Sequence, residues 1–252
     1  MENDMLKKYA ALIVKTGANV KKGQGCFLYI EANQNKFANL VVEEAYKAGA
    51  AWVQMMWTNQ KTDKLKYQYE NLETLSCVPK WQEAQLQYLV DELPCRIFIE
   101  SEDPDGLNGV DIAKMQASNM ARAKITKPYR DAIDNLHQWT IAAIPSKEWA
   151  KKVFPQENEE QAIEKLWEEI FKTVRISENN DPLEAWEKHD RDLIEKSQKL
   201  NSYHFDYLHY TCKNGTDFTC KLIPNSSWLG GGDSLMDGTF FNPNMPTEEI
   251  FI

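Results

Sequence analysis

The sequence predicts an α/β fold: a mostly parallel sheet flanked by helices, followed by a helical region and a C-terminal antiparallel β-hairpin. Three observations predict it. Short apolar runs alternate with amphipathic segments over residues 1–145, two long amphipathic stretches follow within 146–204, and an Asn-Gly pair separates two alternating runs within 205–252. Alternation of strand and helix implies crossovers between strands that run the same way, hence a parallel sheet. Asn-Gly supplies the positive φ angles of a tight hairpin turn.

Each element has a local reason. Residues 5–17, MLKKYAALIVKTG, read as a helix stopped by Gly17, and residues 25–30, GCFLYI, as a strand buried on both faces, because the run is almost continuously apolar. NKFANLVVEEAYKAGA is the next helix, ending at Gly49, and AWVQMMW at 51–57 is the second strand. A helix near 80–91 leads to a third strand, CRIFIE at 95–100; beyond Asp103 the chain turns helix-rich before a fourth, QWTIAAIP at 138–145. Ser146 is placed to cap the helix of SKEWAKKVF, which Pro155 stops. Helices near 160–174 and 182–200 follow, the second capped by Asp181 with Pro182 at its first position. The hairpin spans 205–223 around Asn214-Gly215.

Composition closes off several functions. At 252 residues the chain can bury a sizeable core without disulfide or metal staples. A net charge of −9 with no cluster of Lys and Arg excludes nucleic acid as a partner. The acidic stretch at 157–169 carries Ile163, Leu166, Trp167 and Ile170 at helical spacing around it, the pattern of a solvated helix face. No run is long and apolar enough for a membrane span and no secretory leader opens the chain, so the expected setting is the cytoplasm. Cys26, Cys77, Cys95, Cys212 and Cys220 are odd in number and scattered, as expected of reduced thiols, with Cys26, Cys95 and Cys220 at apolar strand positions. The turn after the first strand, EANQNKF, lacks the glycines a dinucleotide site requires. His137, His189, His204 and His209 read as single surface or edge residues, the last two in one strand and facing opposite ways. No complete active site is visible.

The end of the chain is more informative. FNPNMPTEEIFI joins two proline turns to an acidic pair and three apolar residues that read as a strand. In an extended segment Glu248 and Glu249 project to opposite sides, so only one can face a given metal, and spacing alone does not choose between them. Solvated acids after a turn are the plain alternative. Trp228 followed by Gly230 and Gly231, then N-P-N-M-P-T-E-E-I-F from Asn242, with WAKKVFP, LWEEIF, DPLEAWEKHD and GTDFT upstream, resembles the metal-dependent aminopeptidases typified by aminopeptidase T, aminopeptidase S and PepS.

That resemblance spans almost the whole chain. It implies that Glu249 is one ligand of a site for two divalent ions, zinc or cobalt, with Glu248 its neighbour. It implies peptide substrates shortened from their N-termini, and a homodimer. The family's other ligands lie in a catalytic domain beyond residue 252, so the chain reads as the N-terminal α/β domain, expected to be inactive and to hold no metal stably by itself. The competing expectation is a non-enzymatic binding or assembly module. The apolar tail is expected to pack on the hairpin at 205–223 or to join a neighbouring chain, since an unpaired strand exposes its backbone groups.

Overall fold

The computed structural model describes residues 2–251. Its centre is a five-stranded sheet of β1 (Gly25–Glu31), β2 (Trp52–Thr58), β3 (Cys95–Glu100), β4 (Trp139–Ala143) and β10 (Asn244–Met245), in the order β10-β4-β3-β1-β2. Every pairing in it is parallel. The four strands read from the sequence are therefore all present. The fifth, two residues from the far end of the chain, carries no alternating pattern to announce it.

The helices are α1 (Glu2–Leu12), α2 (Asn35–Ala48), α3 (Gln60–Tyr69), α4 (Leu72–Ser76), α5 (Lys80–Glu92), α6 (Ile112–Ala132), α7 (Lys147–Val153), α8 (Glu159–Thr173) and α9 (Pro182–Ser202). Tyr9 and Leu12 of α1, Phe37 and Val41 of α2, Leu166 and Phe171 of α8 and Trp186 of α9 join Leu28 and Ile30 of β1 in one core. On the strand positions that alternate with these, Tyr29 stacks on Phe98 at 4.7 Å and Tyr88 of α5 meets Phe27 edge-on. Two covered faces account for the unbroken apolar character of β1. The expected caps form: Ser146 accepts the Trp149 N–H at 3.1 Å and Asp181 that of Leu183 at 2.8 Å. α3 and α4 escape the sequence reading because α3 buries no residue and α4 only Leu75, which leaves no apolar stripe. Their capping asparagines, Asn59 and Asn71, are the signal that remains.

α1 does not end at Leu12. One wide turn, Ile13–Gly17, carries it on to Gly17. A side chain at Gly17 would lie 2.7 Å from Met245 Sδ and 2.9 Å from Thr140 Oγ1, so this glycine also allows β10 to approach β4.

The remaining strands are short: β5 (Tyr207–Thr211) and β6 (Asp217–Lys221) form the antiparallel hairpin, β8 (Asp233–Ser234) pairs with β9 (Phe240–Phe241), and β7 (Leu229–Gly230) pairs with β11 (Ile250–Phe251). Several expectations are corrected. The tail docks on β7 and not on the hairpin, because β7 has an open edge against α9; Ile252 lies outside the described residues. Cys220 is exposed, since the hairpin stands out from the body, whereas Cys26 and Cys95 are buried and paired in register. All five thiols are free. His204 lies past the end of α9 and not in a strand, so only His209 belongs to the hairpin.

His137 is buried, contrary to the surface reading. Arg96 donates from Nε to its Nε2 at 2.8 Å, which leaves Nδ1–H to donate to the Ile133 carbonyl at 3.0 Å. Burial first, and the Arg96 charge second, lower its pKa from 6.5 to about 4. The unfolded chain takes up this proton near pH 6.5 and the folded chain resists until about 4, so the associated stability is full above 6.5 and declines as the pH falls. Over that window wild type should lose on the order of 1–2 kcal/mol more than His137→Gln, allowing for solvent near the ring. Urea unfolding at several pH values checks this, and parallel curves for the two proteins would refute it.

Candidate functional site

The segment carrying the acidic pair is fixed by Asn242, which is fully buried. Its N–H donates to the carbonyls of Thr16 at 3.2 Å and Gly17 at 2.9 Å, which the end of the α1 extension leaves without helical partners. Its carbonyl accepts from Thr140 Oγ1 at 2.8 Å, and its Nδ2 donates to Asp190 Oδ2 at 3.1 Å. The next carbonyl, of Pro243, accepts from Ile141 N at 2.7 Å, and Met245 is buried against the sheet. Burial raises the Asp190 carboxyl pKa, and the Asn242 amide partly offsets this.

Beyond β10 the chain is gripped again. Thr247 is buried and its carbonyl accepts from His189 Nε2 at 2.7 Å. His189 is thus half-buried against the tail and not the solvated mid-helix residue the sequence suggests. Arg175 donates to both oxygens of Glu248, at 2.7 and 3.0 Å, and its guanidinium lies 5.8 Å from the centre of the Trp186 ring. The Arg175 hydrogen bonds hold the Glu248 pKa below the usual carboxylate value. Glu249 is exposed, and its Oε2 accepts the Glu248 N–H at 2.9 Å. Ile250 then pairs with Gly230, where a side chain would come within 2.9 Å of Ile250 Cγ1. That close approach is a physical reason for the first glycine after Leu229.

The two acids are therefore not equivalent. Glu248 is spent on Arg175, whereas Glu249 has no cationic partner among the described residues. An exposed carboxylate is a hard oxygen donor and fits a divalent ion. Among the described residues no group of three or more His, Cys, Asp or Glu side chains is arranged to hold a metal, so the fit is that of one contributed ligand and not of a whole site. Arg175 and Asn242 were not singled out as functional residues by sequence reasoning. The acid in N-P-N-M-P-T-E-E invites a search for an arginine partner, but the 73 positions between Arg175 and Glu248 hide it.

The fold and the segment together are an α/β domain that presents one exposed carboxylate, Glu249, just beyond an anchored, proline-bounded strand. The chain belongs to the family described as thermophilic metalloprotease (M29), which matches over residues 2–252. Aminopeptidase PepS of Streptococcus thermophilus is 40% identical over 248 residues, covering 98% of this chain and 60% of its own length. Aminopeptidase AmpS of Bacillus subtilis is 39% identical over 247 residues, with coverage of 98% and 60%. The solved structure of wild-type AmpT from Thermus thermophilus is similar with a TM-score of 0.88 at 31% identity, covering 99% of this chain and 61% of that one. The chain spans about 60% of the length of these curated relatives.

Two substitutions separate anchoring from pairing. Asn242→Ala keeps the backbone bonds but removes the side-chain bond from Nδ2 to Asp190 Oδ2, leaving a buried carboxylate without its partner, so it should cost about 1–3 kcal/mol in chemical denaturation. Arg175→Gln breaks a largely exposed ion pair and should cost under about 1 kcal/mol, while speeding hydrogen exchange at the amides of residues 248–251. Unchanged exchange there would show that Arg175 does not hold the tail.

Proposed function

We propose that this chain is the N-terminal α/β part of a metal-dependent aminopeptidase that removes N-terminal residues from peptides. The observation that carries the proposal is the division of labour in the acidic pair, with Glu248 held by Arg175 and Glu249 left exposed beside it. The family membership and the aminopeptidase names of the relatives support it.

A pair of divalent ions, zinc or cobalt, would when bound activate water and polarise the scissile carbonyl. Within this chain, Glu249 would supply one oxygen donor, and the Glu248 N–H at 2.9 Å would orient that carboxylate. Arg175, His189 and Asn242 act as positioning residues that keep Glu249 from wandering. The remaining ligands would come from the part of the relatives that this chain does not span, so the chain alone is expected to be inactive. The proposal extends to a homodimer and to a cytoplasmic setting, the latter in keeping with five free thiols.

The experiment is a pair of substitutions in the protein that carries this chain together with that further region. Glu249→Gln should lower bound metal, measured by elemental analysis, and reduce hydrolysis of an aminoacyl anilide by on the order of 100-fold or more without loss of fold. Glu248→Gln should retain most of the metal. The reverse ranking would make Glu248 the ligand, and normal activity in both would overturn the proposal.

A further inference from the structure

A second feature lies at the other strands of the sheet. The chain leaves β1 through α2 toward β2, returns past β1 through α3 to α5 to reach β3, and then moves outward to β4. β1 and β3 are neighbours whose connections depart in opposite directions, and a crevice opens beyond the carboxyl ends of such strands. Here it is a cleft of about 820 Å³ whose lining includes Glu31, Gln60, Lys64, Ser101, Glu102 and Trp167.

The floor is built in advance. Glu31, at the end of β1, accepts the Gln60 N–H at 2.9 Å. The Gln60 side chain donates to the Asp103 carbonyl at 3.0 Å and accepts the Asp103 N–H at 3.1 Å, tying α3 to the loop after β3. Gly106 packs so closely on it that a side chain there would meet Gln60 Oε1 at 2.1 Å. Ser101 lines the cleft, is only 5% exposed, and its hydroxyl has no partner. A buried hydroxyl without a partner carries a desolvation cost that a ligand group can remove.

The charges are left apart. Glu31 and Glu102 have no cationic partner among the described residues, and Lys61, Lys64 and Lys147 in the same lining have no acidic one, whereas Asp105 is already paired with Lys152 at 2.7 Å. Burial raises the Glu102 carboxyl pKa, and the neighbouring charges of Glu100, Glu31 and Asp63 add to it. A bare metal ion does not fit, because no trio of metal-binding side chains occurs among the described residues. A nucleotide does not fit either, because the turn after β1 has no glycine to admit a pyrophosphate. Acids and lysines without ion-pair partners around one cleft, with Trp167 in the same lining, match a small zwitterion.

We propose that the cleft binds an α-amino acid or short peptide, with its ammonium group between Glu31 and Glu102 and against the Ser101 hydroxyl, and its carboxylate toward Lys64. The cleft is made wholly of residues in this chain and does not rest on the aminopeptidase reading.

Calorimetric titration of the 252-residue chain tests it. Leucine and leucyl-glycine are the probes, and N-acetyl-leucine, which lacks the ammonium group, is the control. At least one probe should bind saturably, and the tighter of the two identifies the source of the ligand as free amino acid or peptide. N-acetyl-leucine should bind about tenfold more weakly or worse, and Glu102→Gln and Lys64→Met should each weaken the better probe by roughly tenfold. Glu102 and Lys64 sit at the protein surface, so circular dichroism should show both variants folded. Saturable binding of neither probe, equal binding of N-acetyl-leucine, or affinity unmoved by both substitutions would overturn the proposal. None of these readouts involves hydrolysis, so failure here is distinct from failure of the proposed peptidase activity.

Discussion

One buried asparagine holds the end of the chain to its beginning. Asn242 reaches the terminal carbonyls of the α1 extension, the Thr140 hydroxyl of β4 and the Asp190 carboxylate of α9, so four separate stretches of sequence meet at a single residue. Those bonds form without water to share them, since the residue has no exposed surface. A polar group in that position must be satisfied or it destabilises the fold, which makes the geometry demanding. Thr140 and Gly17 answer that demand for the backbone and Asp190 for Nδ2, whereas Asn242 Oδ1 and Asp190 Oδ1 are buried without a partner. The fifth strand of the sheet then follows from the anchor, because Pro243 and Met245 are delivered to the edge of β4.

What the sequence made legible follows from which signals are local. Short apolar runs such as GCFLYI and CRIFIE announce strands, because their length and their aromatic and β-branched content suit a parallel sheet covered on both faces. Capping by Ser146 and Asp181 is equally local. Pairings across long separations were not legible. The two-residue strand β10 is too short for a period, and although the apolar tail reads as a strand, its partner β7 has no signal of its own. The histidines show the same limit. His137 precedes an apolar strand and His189 sits among charges in sequence, and only the fold turns one toward Arg96 and the other toward Thr247.

The candidate ligand was legible only through resemblance to a family, since alternation places Glu248 and Glu249 on opposite sides without ranking them. In the structure only Glu248 has a cationic partner among the described residues. A guanidinium presents two parallel donors that match both oxygens of one carboxylate, and a carboxylate so engaged has little left to offer a metal. Glu248 is therefore the acid engaged by Arg175, and both acids remain exposed. Arg175 itself adopts a positive φ of 58° just after α8, a conformation uncommon for a side chain of its size.

Preorganisation explains why so much structure surrounds one exposed acid. A carboxylate on a free tail would surrender backbone freedom on binding, at about 1–2 kcal/mol for each residue ordered. Between Asn242 and Ile250 that freedom has already been removed: Asn242 is buried, Pro243 and Pro246 restrict their own φ angles, Thr247 is held by His189, Glu248 by Arg175, and Ile250 by Gly230. The ordering cost is thus met during folding of the α/β domain. The same sheet meets a comparable cost at the ends of β1 and β3, where Gln60 locks two loops around the cleft before anything enters it. In both places a ligand would encounter groups already in position, and its binding energy would go into recognition instead of into ordering the chain.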